Sequence, residues 1–310
     1  MIIKNQSIED YHASSKWVTG KNFKVSSSTL KYAKKSTRDF IHYVTTPSET
    51  KPHFDFGNAF ELYLMDEVNG TTLFKDKVAV MPDQQWINEV LHDRPTISNV
   101  RATGDYKNKR STWDALNEGK YIIPDVGAES FETMQMMSDS VLSNELILSA
   151  LQSTDYQVSL EWEDELTVLT CKTRPDLTRQ TKNTIIDIKT IRTKTTDASP
   201  DKFYKEAAKH DYPLQAFMQV EGAIKSGYYD RVDHYYWLVC EKKAPYHYAI
   251  YRFDNDDIES IRDRYNQSMM TVYKSIEYLK AGVNTNHLPS YGERSENEYG
   301  VLDFKLPSWY

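Results

Sequence analysis

The hydrophobic period changes along the chain, and the change divides it. From Ser26 the stretch SSSTLKYAKKSTRDFIHYV opens on serines suited to capping a helix, and Leu30, Ala33, Thr37, Phe40, Ile41 and Val44 then recur at helical spacing. The spacing predicts one amphipathic helix with Lys31, Lys34, Lys35 and Arg38 on another face. FDFGNAFELYLMDE follows, read as a short lead-in, a glycine turn and a second, mostly buried helix whose Glu61 is a charge in need of a reason. Residues 69–125 are weakly patterned, and within them RATGDYKNKRSTW reads as an exposed basic loop around Lys107, Lys109 and Arg110. Two helical stretches cover roughly 127–152, where Phe131, Met134, Met136 and Met137 suit a packed core.

The period then shortens. YQVSLEWED alternates, LTVLTCKTR is β-branched, and NTIIDIKTI is an apolar run interrupted by two charges, so three strands are expected. SPDKFYKEAAKH and YPLQAFMQVEGAIKSG predict helices, the first opened by Ser-Pro and the second closed by Gly227. Two more strands, VDHYYWLVCE and YHYAIYRF, precede a long helix from about Asp257 to Leu279. The tail after Gly282 is polar and expected to be loose. This order predicts an α/β (α+β) fold, a central mixed β-sheet flanked by helices. One domain is expected over 1–310: a helical part over about 1–68, a variable region over 69–125, a core over 126–282 and the tail.

Composition acts mainly by exclusion. With 39% apolar and 13% aromatic residues the chain can build a core. It shows no charged, apolar, small-residue leader and no apolar run of about 18 residues, so a cytoplasmic location without a membrane partner is expected. Cys171 and Cys240 are too few for a disulfide framework or a closed cysteine-rich zinc site. The eight histidines form no spaced pair of the zinc-binding kind; His53 and His210 stay in view as neighbours of a phosphate or metal. A net charge of −7 taken alone argues against nucleic acid. Its distribution does not, because Tyr11 to Arg38 holds seven Lys or Arg and no acid.

Candidate chemistry lies in CKTRPDLTRQTKNTIIDIKT, residues 171–190. In a strand, residues two apart share a face, so Asp187 and Lys189 point one way while Ile186 and Ile188 pack the other. Polar turn formers from Thr178 to Thr184 suit a hairpin that folds Asp176 back beside Asp187. Two carboxylates that close need a positive charge. Lys189 alone makes a structural salt bridge; a divalent cation held by hard oxygens, with Lys189 beside its bound water, makes a phosphodiester-cleaving arrangement. Burial and a nearby cation would favour the neutral form of that lysine or let it steer the nucleophile. Glu161 and Glu163 alternate onto one side of the preceding strand, where one suits a partner for Lys172 or Arg174 and the other suits solvent.

Residues 172–222 resemble the core of the PD-(D/E)XK nuclease superfamily, with its restriction-endonuclease-like fold, and in particular the branch of the RecE-type exonuclease, exodeoxyribonuclease VIII, and its phage relatives. The resemblance rests on Arg174-Pro175-Asp176, the Asp187-x-Lys189 strand, the DAS lead into a helix and the aromatic-x-x-Gln-Ala opening of the next. EDYHAS and DFGNAFELYLMDE extend it over most of residues 8–280. It implies that Asp176, Asp187 and the Ile188 carbonyl ligate Mg²⁺, with Mn²⁺ an alternative, that Lys189 is catalytic, and that Gln215 orients the site. Glu61 stands where many members place a helical His facing the metal, and a carboxylate serves a hard cation at least as well. Gln219 stands where relatives usually have Tyr, which puts that ring's contact in doubt. The resemblance further implies a 5′ to 3′ exonuclease on double-stranded DNA ends in phage-type recombination, a homo-oligomeric ring and a single-strand annealing partner. Lys31, Lys34, Lys35, Arg38, Arg174, Arg192 and Lys194 are the expected DNA-binding residues. A structure-specific endonuclease, or a DNA- or protein-binding module keeping the fold without catalysis, are the alternatives.

Overall fold

The computed structural model describes residues 1–4, 6, 8–17, 22–46, 52–191, 197–284 and 288, with the side chains of 8, 9, 52–54 and 255 left aside. Arg192, Lys194, the His53 side chain and the rest of the tail lie outside the described residues. A short strand β1 (Ile2–Ile3) and helix α1 (Ile8–Ala13) precede α2 (Ser27–Ala33), α3 (Thr37–Thr45) and α4 (Pro52–Asn69). The single basic helix expected from the pattern is therefore two. Ser36 is extended and its hydroxyl accepts from the Asp39 amide at 3.0 Å, so a serine inside the periodic run caps a new helix. Lys31 rides on α2, Lys34 and Lys35 end it, and Arg38 sits on α3. In the next helix Gly57 makes no turn, because α4 runs through it.

The weakly patterned region is also more regular than its sequence suggests. It holds α5 (Leu73–Lys77), β2 (Val78–Met81), α6 (Asp83–Asp93), α7 (Gly104–Leu116) and β3 (Tyr121–Pro124), with β2 and β3 parallel from Val78–Tyr121 to Met81–Pro124. Met81, Trp86, Val90, Val100 and Tyr106 form a small core of their own. The supposed basic loop is α7: Thr103 caps it, Arg110 pairs with Asp114 at 2.7 Å, and Lys109 pairs with Glu89 of α6. Only Tyr106 of that helix is buried, so it shows no apolar stripe for a periodicity argument to find.

Helices α8 (Phe131–Leu142) and α9 (Glu145–Leu151) follow; Met134 and Met137 are core, whereas Met136 is 46% exposed. Then come β4 (Asp155–Tyr156), β5 (Ser159–Glu163), β6 (Thr170–Thr173), β7 (Leu177–Arg179) and β8 (Thr184–Ile191). Helices α10 (Pro200–His210) and α11 (Tyr212–Lys225), strands β9 (His234–Glu241) and β10 (Tyr248–Phe253), and helices α12 (Asn255–Glu259) and α13 (Arg262–Lys280) complete the order. A five-stranded mixed sheet runs β10-β9-β8-β7-β4, parallel only between β8 and β9, beside a three-stranded sheet β1-β5-β6. The chain crosses from one sheet to the other at Arg174-Pro175, where proline offers no ladder donor. Alternation along β8 sends Ile185 and Ile191 into a core with α2, α3, α10, α11 and α13, and Ile186 and Ile188 into another with α4, α8 and α9. Among the described residues no helix is long and apolar enough to cross a membrane.

Candidate active site

Antiparallel pairing of Leu177 with Ile186 sets Asp176, the residue before β7, across from Asp187. Asp176 Oδ2 accepts from the Ile188 amide at 2.7 Å. Asp187 is fully buried; its Oδ1 accepts from Gln215 Nε2 at 2.9 Å and Gln219 Nε2 at 3.3 Å, and its Oδ2 is ion-paired with Lys189 Nζ but lacks a well-angled hydrogen bond. The two glutamines stand one turn apart on α11 and so share its inner face. Gln219 replaces an expected ring with a second amide, held in turn by the Tyr235 hydroxyl donating to its Oε1 at 2.7 Å. Gly222 sets the depth of that helix. A Cβ there would come within 2.5 Å of Thr173 Cγ2 and 2.6 Å of Trp162 Cζ3, so only glycine lets α11 lie this close to β5 and β6.

Glu61 enters from α4, half-buried, and its Oε2 accepts from Gln157 Nε2 at 3.1 Å. Gln157 has a left-handed backbone (φ 48°), donates its amide to the Asp176 carbonyl at 2.8 Å, and accepts from Arg174 Nε at 3.1 Å. No pattern in the sequence marked this residue, because only the docking of α4 onto the sheet corner gives it a role. Arg174 also donates to the Gln6 carbonyl at 3.1 Å, so it braces the corner beside Asp176. Burial, then the Asp187 charge, push Asp176 up to about 7, against the pull of Lys189, the Ile188 amide and Arg174. Burial and Asp176 likewise raise Glu61 well above the usual carboxylate range. For Lys189 burial works against the charge, but Asp187 and Asp176 outweigh it and hold the ammonium above its ordinary value. Without a cation in the site, the pair of carboxylates beside the lysine favours its charged form.

Burial first, and then repulsion among the three carboxylates, raise Asp176 and Glu61 despite the nearby Lys189. Among the described residues no three Asp, Glu, His or Cys side chains converge tightly enough to form a closed metal cage. Asp176, Asp187 and the Ile188 carbonyl are hard oxygen donors, and a hydrated hard cation needs only one or two protein carboxylates and keeps several waters.

A second cation stands close by. Lys31 reaches the face of Tyr212 (5.9 Å from the ring centre), and Lys189 lies 4.9 Å from the same ring. Burial and then Lys189 push Lys31 down to about 8. Lys34 is ion-paired with Asp211, the left-handed residue between α10 and α11, which docks α2 against the start of the glutamine-bearing helix. Lys35 lies over the Tyr32 ring at 5.2 Å, and Arg38 is half-buried on α3. Glu161 pairs with Lys24 at 2.5 Å, not with Arg174, while Lys172 is buried and donates to Ser14 Oγ at 2.8 Å and the Tyr11 carbonyl; Glu163 is exposed. His210 pairs with Glu206 at 2.9 Å and stacks on Tyr212 at 5.8 Å.

This site and its mixed sheet define a PDDEXK-like fold. The chain belongs to the family described as PDDEXK-like domain of unknown function (DUF3799), whose model matches residues 26–297. A solved structure described as a candidate exonuclease from Eubacterium rectale shares the fold at 12% identity, with a TM-score of 0.54 over 91% of this chain and 89% of its own. A phage-related exonuclease from Haemophilus somnus 129PT, also 12% identical, covers 83% of this chain and 96% of its own at a TM-score of 0.32, too loose a superposition to bear weight. No curated protein matches the chain.

Proposed function

We propose that the protein is a divalent-metal-dependent deoxyribonuclease that degrades double-stranded DNA from its ends, 5′ to 3′. The observation that carries the reading is the shared environment of Asp176, Asp187, Glu61 and Lys189, braced by Gln215. Asp176, Asp187 and the Ile188 carbonyl would hold Mg²⁺ or Mn²⁺, with Glu61 beyond them. Such an ion polarises the scissile phosphate and lowers the pKa of a bound water. Gln215 and Gln219 hold Asp187 by its Oδ1, which leaves Oδ2 beside Lys189, where it would serve a cation. The ammonium of Lys189, kept charged by its neighbours, offsets charge developing on the phosphate. Lys31 offers a second positive charge across Tyr212. Family likeness supports a nuclease; the end preference and polarity come from the resemblance to the RecE-type branch. So do a homo-oligomeric ring around the duplex, a single-strand annealing partner and a role in recombination.

End-labelled linear duplex digested beside a covalently closed circle, with Mg²⁺ or EDTA, tests this. Mg²⁺-dependent loss of the linear substrate alone is expected, together with loss of activity in Lys189→Ala. Cutting of the closed circle would overturn the end preference, and activity surviving in Lys189→Ala would overturn the site.

A further inference from the structure

Helices α2 and α3 carry a feature the catalytic centre does not use. The rings of Tyr32 and Tyr43 stack in parallel, 4.1 Å apart at 12°. A lysine covers each outer face: Lys16 Nζ lies 4.1 Å from the Tyr43 ring and Lys35 Nζ 5.2 Å from that of Tyr32. The two ends differ. Lys16 is tied down, donating to the Tyr43 carbonyl at 2.6 Å, so it closes the lower end. Lys35 is exposed, and its ammonium covers the outer face of the half-buried Tyr32. Tyr43 packs against the core that holds Leu30, Ala33, Phe40, Ile41 and Val44, and Lys34 ties α2, which carries Tyr32, to Asp211.

We propose that Tyr32 and Lys35 form a subsite for one nucleotide of a single nucleic-acid strand, the base stacking on the Tyr32 ring and the adjoining phosphate pairing with Lys35. An aromatic face covered by an exposed cation suits a planar ligand carrying its own anion: the ammonium would pass from ring to phosphate as the base takes its place. Base stacking on an aromatic ring outweighs an exposed cation–π contact, so the exchange is favourable. The stretch from Tyr11 to Arg38 contains no acid to repel a backbone. Lys31, next to Tyr32 and four residues before Lys35, faces Tyr212 and Lys189, so a strand on this surface runs on to the catalytic centre. That continuation rests on the nuclease reading; the subsite itself does not.

The test is fluorescence anisotropy of the full chain with labelled oligothymidylate and with a blunt duplex hairpin, in EDTA so that no cleavage intervenes. Tyr32→Ala is expected to weaken oligothymidylate binding roughly ten-fold, the range of one lost base stack, while Tyr32→Phe keeps it. Lys35→Gln is expected to lower the slope of log affinity against log salt by about one. Tyr204→Ala, at an exposed tyrosine on α10, serves as the control for loss of a surface ring. Should Tyr32→Ala fail to fold, photocrosslinking of wild type to bromodeoxyuridine-containing oligonucleotide reads the same contact, with the adduct expected on Tyr32. Wild-type affinity in a folded Tyr32→Ala, equal losses in the Phe and Ala variants, or an adduct elsewhere would overturn the subsite. Tyr32-dependent binding by a protein that cleaves no DNA would sink the nuclease reading and support the subsite; cleavage with Tyr32-independent binding would sink the subsite alone.

Discussion

Gly222→Ala places one methyl group where the helix-to-sheet distance leaves no room. The added Cβ would lie 2.5 Å from Thr173 Cγ2 and 2.6 Å from Trp162 Cζ3, and ordinary contact begins at 3.4 Å, so helix or sheet must yield by nearly 1 Å. Overpacking of this kind costs about 1–3 kcal/mol. Alanine's better helix propensity returns about 0.5–1 kcal/mol, which leaves a net loss of about 1 kcal/mol at the midpoints and about 2.5 kcal/mol at most, and for a chain of 310 residues a fall in Tm of roughly 2–4 °C. The displacement bears on the site from both sides. Thr173 leads directly into Arg174, Pro175 and Asp176, and α11 carries the Gln215 and Gln219 amides that reach Asp187 at 2.9 and 3.3 Å. A shift near 1 Å breaks the longer bond, and misplacement on that scale costs up to about 100-fold in rate. Differential scanning calorimetry of wild type, Gly222→Ala and Gly104→Ala provides the comparison, since a Cβ at Gly104 meets open space. A Gly222→Ala protein at least as stable as wild type would refute the argument that glycine sets the depth of α11.

Gln219→Leu removes a donor from Asp187 and leaves the Tyr235 hydroxyl buried without its acceptor, so a loss of about 1–3 kcal/mol is expected in urea unfolding; unchanged stability would show the bond to be dispensable. Gln157→Gly keeps the left-handed backbone but strips Glu61 of its amide donor, so nuclease rate is expected to fall with Tm nearly unchanged; equal activity would remove Gln157 from the site. Burial pushes the fully enclosed Lys172 down to about 7, so the folded state binds fewer protons than the unfolded chain between pH 7 and about 10. Its cost to folding is complete below that window and fades as pH rises through it; Lys172→Met is expected to gain less stability than wild type between pH 7 and 9, and equal gains in urea midpoint would contradict this.

The parts of the site that the sequence announces are those fixed by local periodicity. Asp187 and Lys189 share a face because a strand has a period of two, and Asp176 meets them because a short polar hairpin sets the register. Gln215 came from resemblance. Gln157, the tie between Lys34 and Asp211, and the approach of Lys31 to Tyr212 depend on how helices dock on sheets, and no window of consecutive residues encodes that. The same limit explains α7, whose mostly solvated surface carries no stripe, and the break at Ser36, where a capping hydroxyl overrides an otherwise unbroken helical period. Lys24 and Lys172 make the point in energy: alternation put Lys172 near Glu161, yet Glu161 takes the partly exposed Lys24 as its partner. Lys172 is left to neutral oxygens and the Tyr11 ring, which hold the buried amine without a carboxylate and leave it open to losing its proton. Glu61 is the converse. Its charge inside an apolar helix asked for a reason in the sequence and took a place in the site only through the resemblance, while its burial beside Asp176 and Asp187 exists only once α4 lies across the sheet.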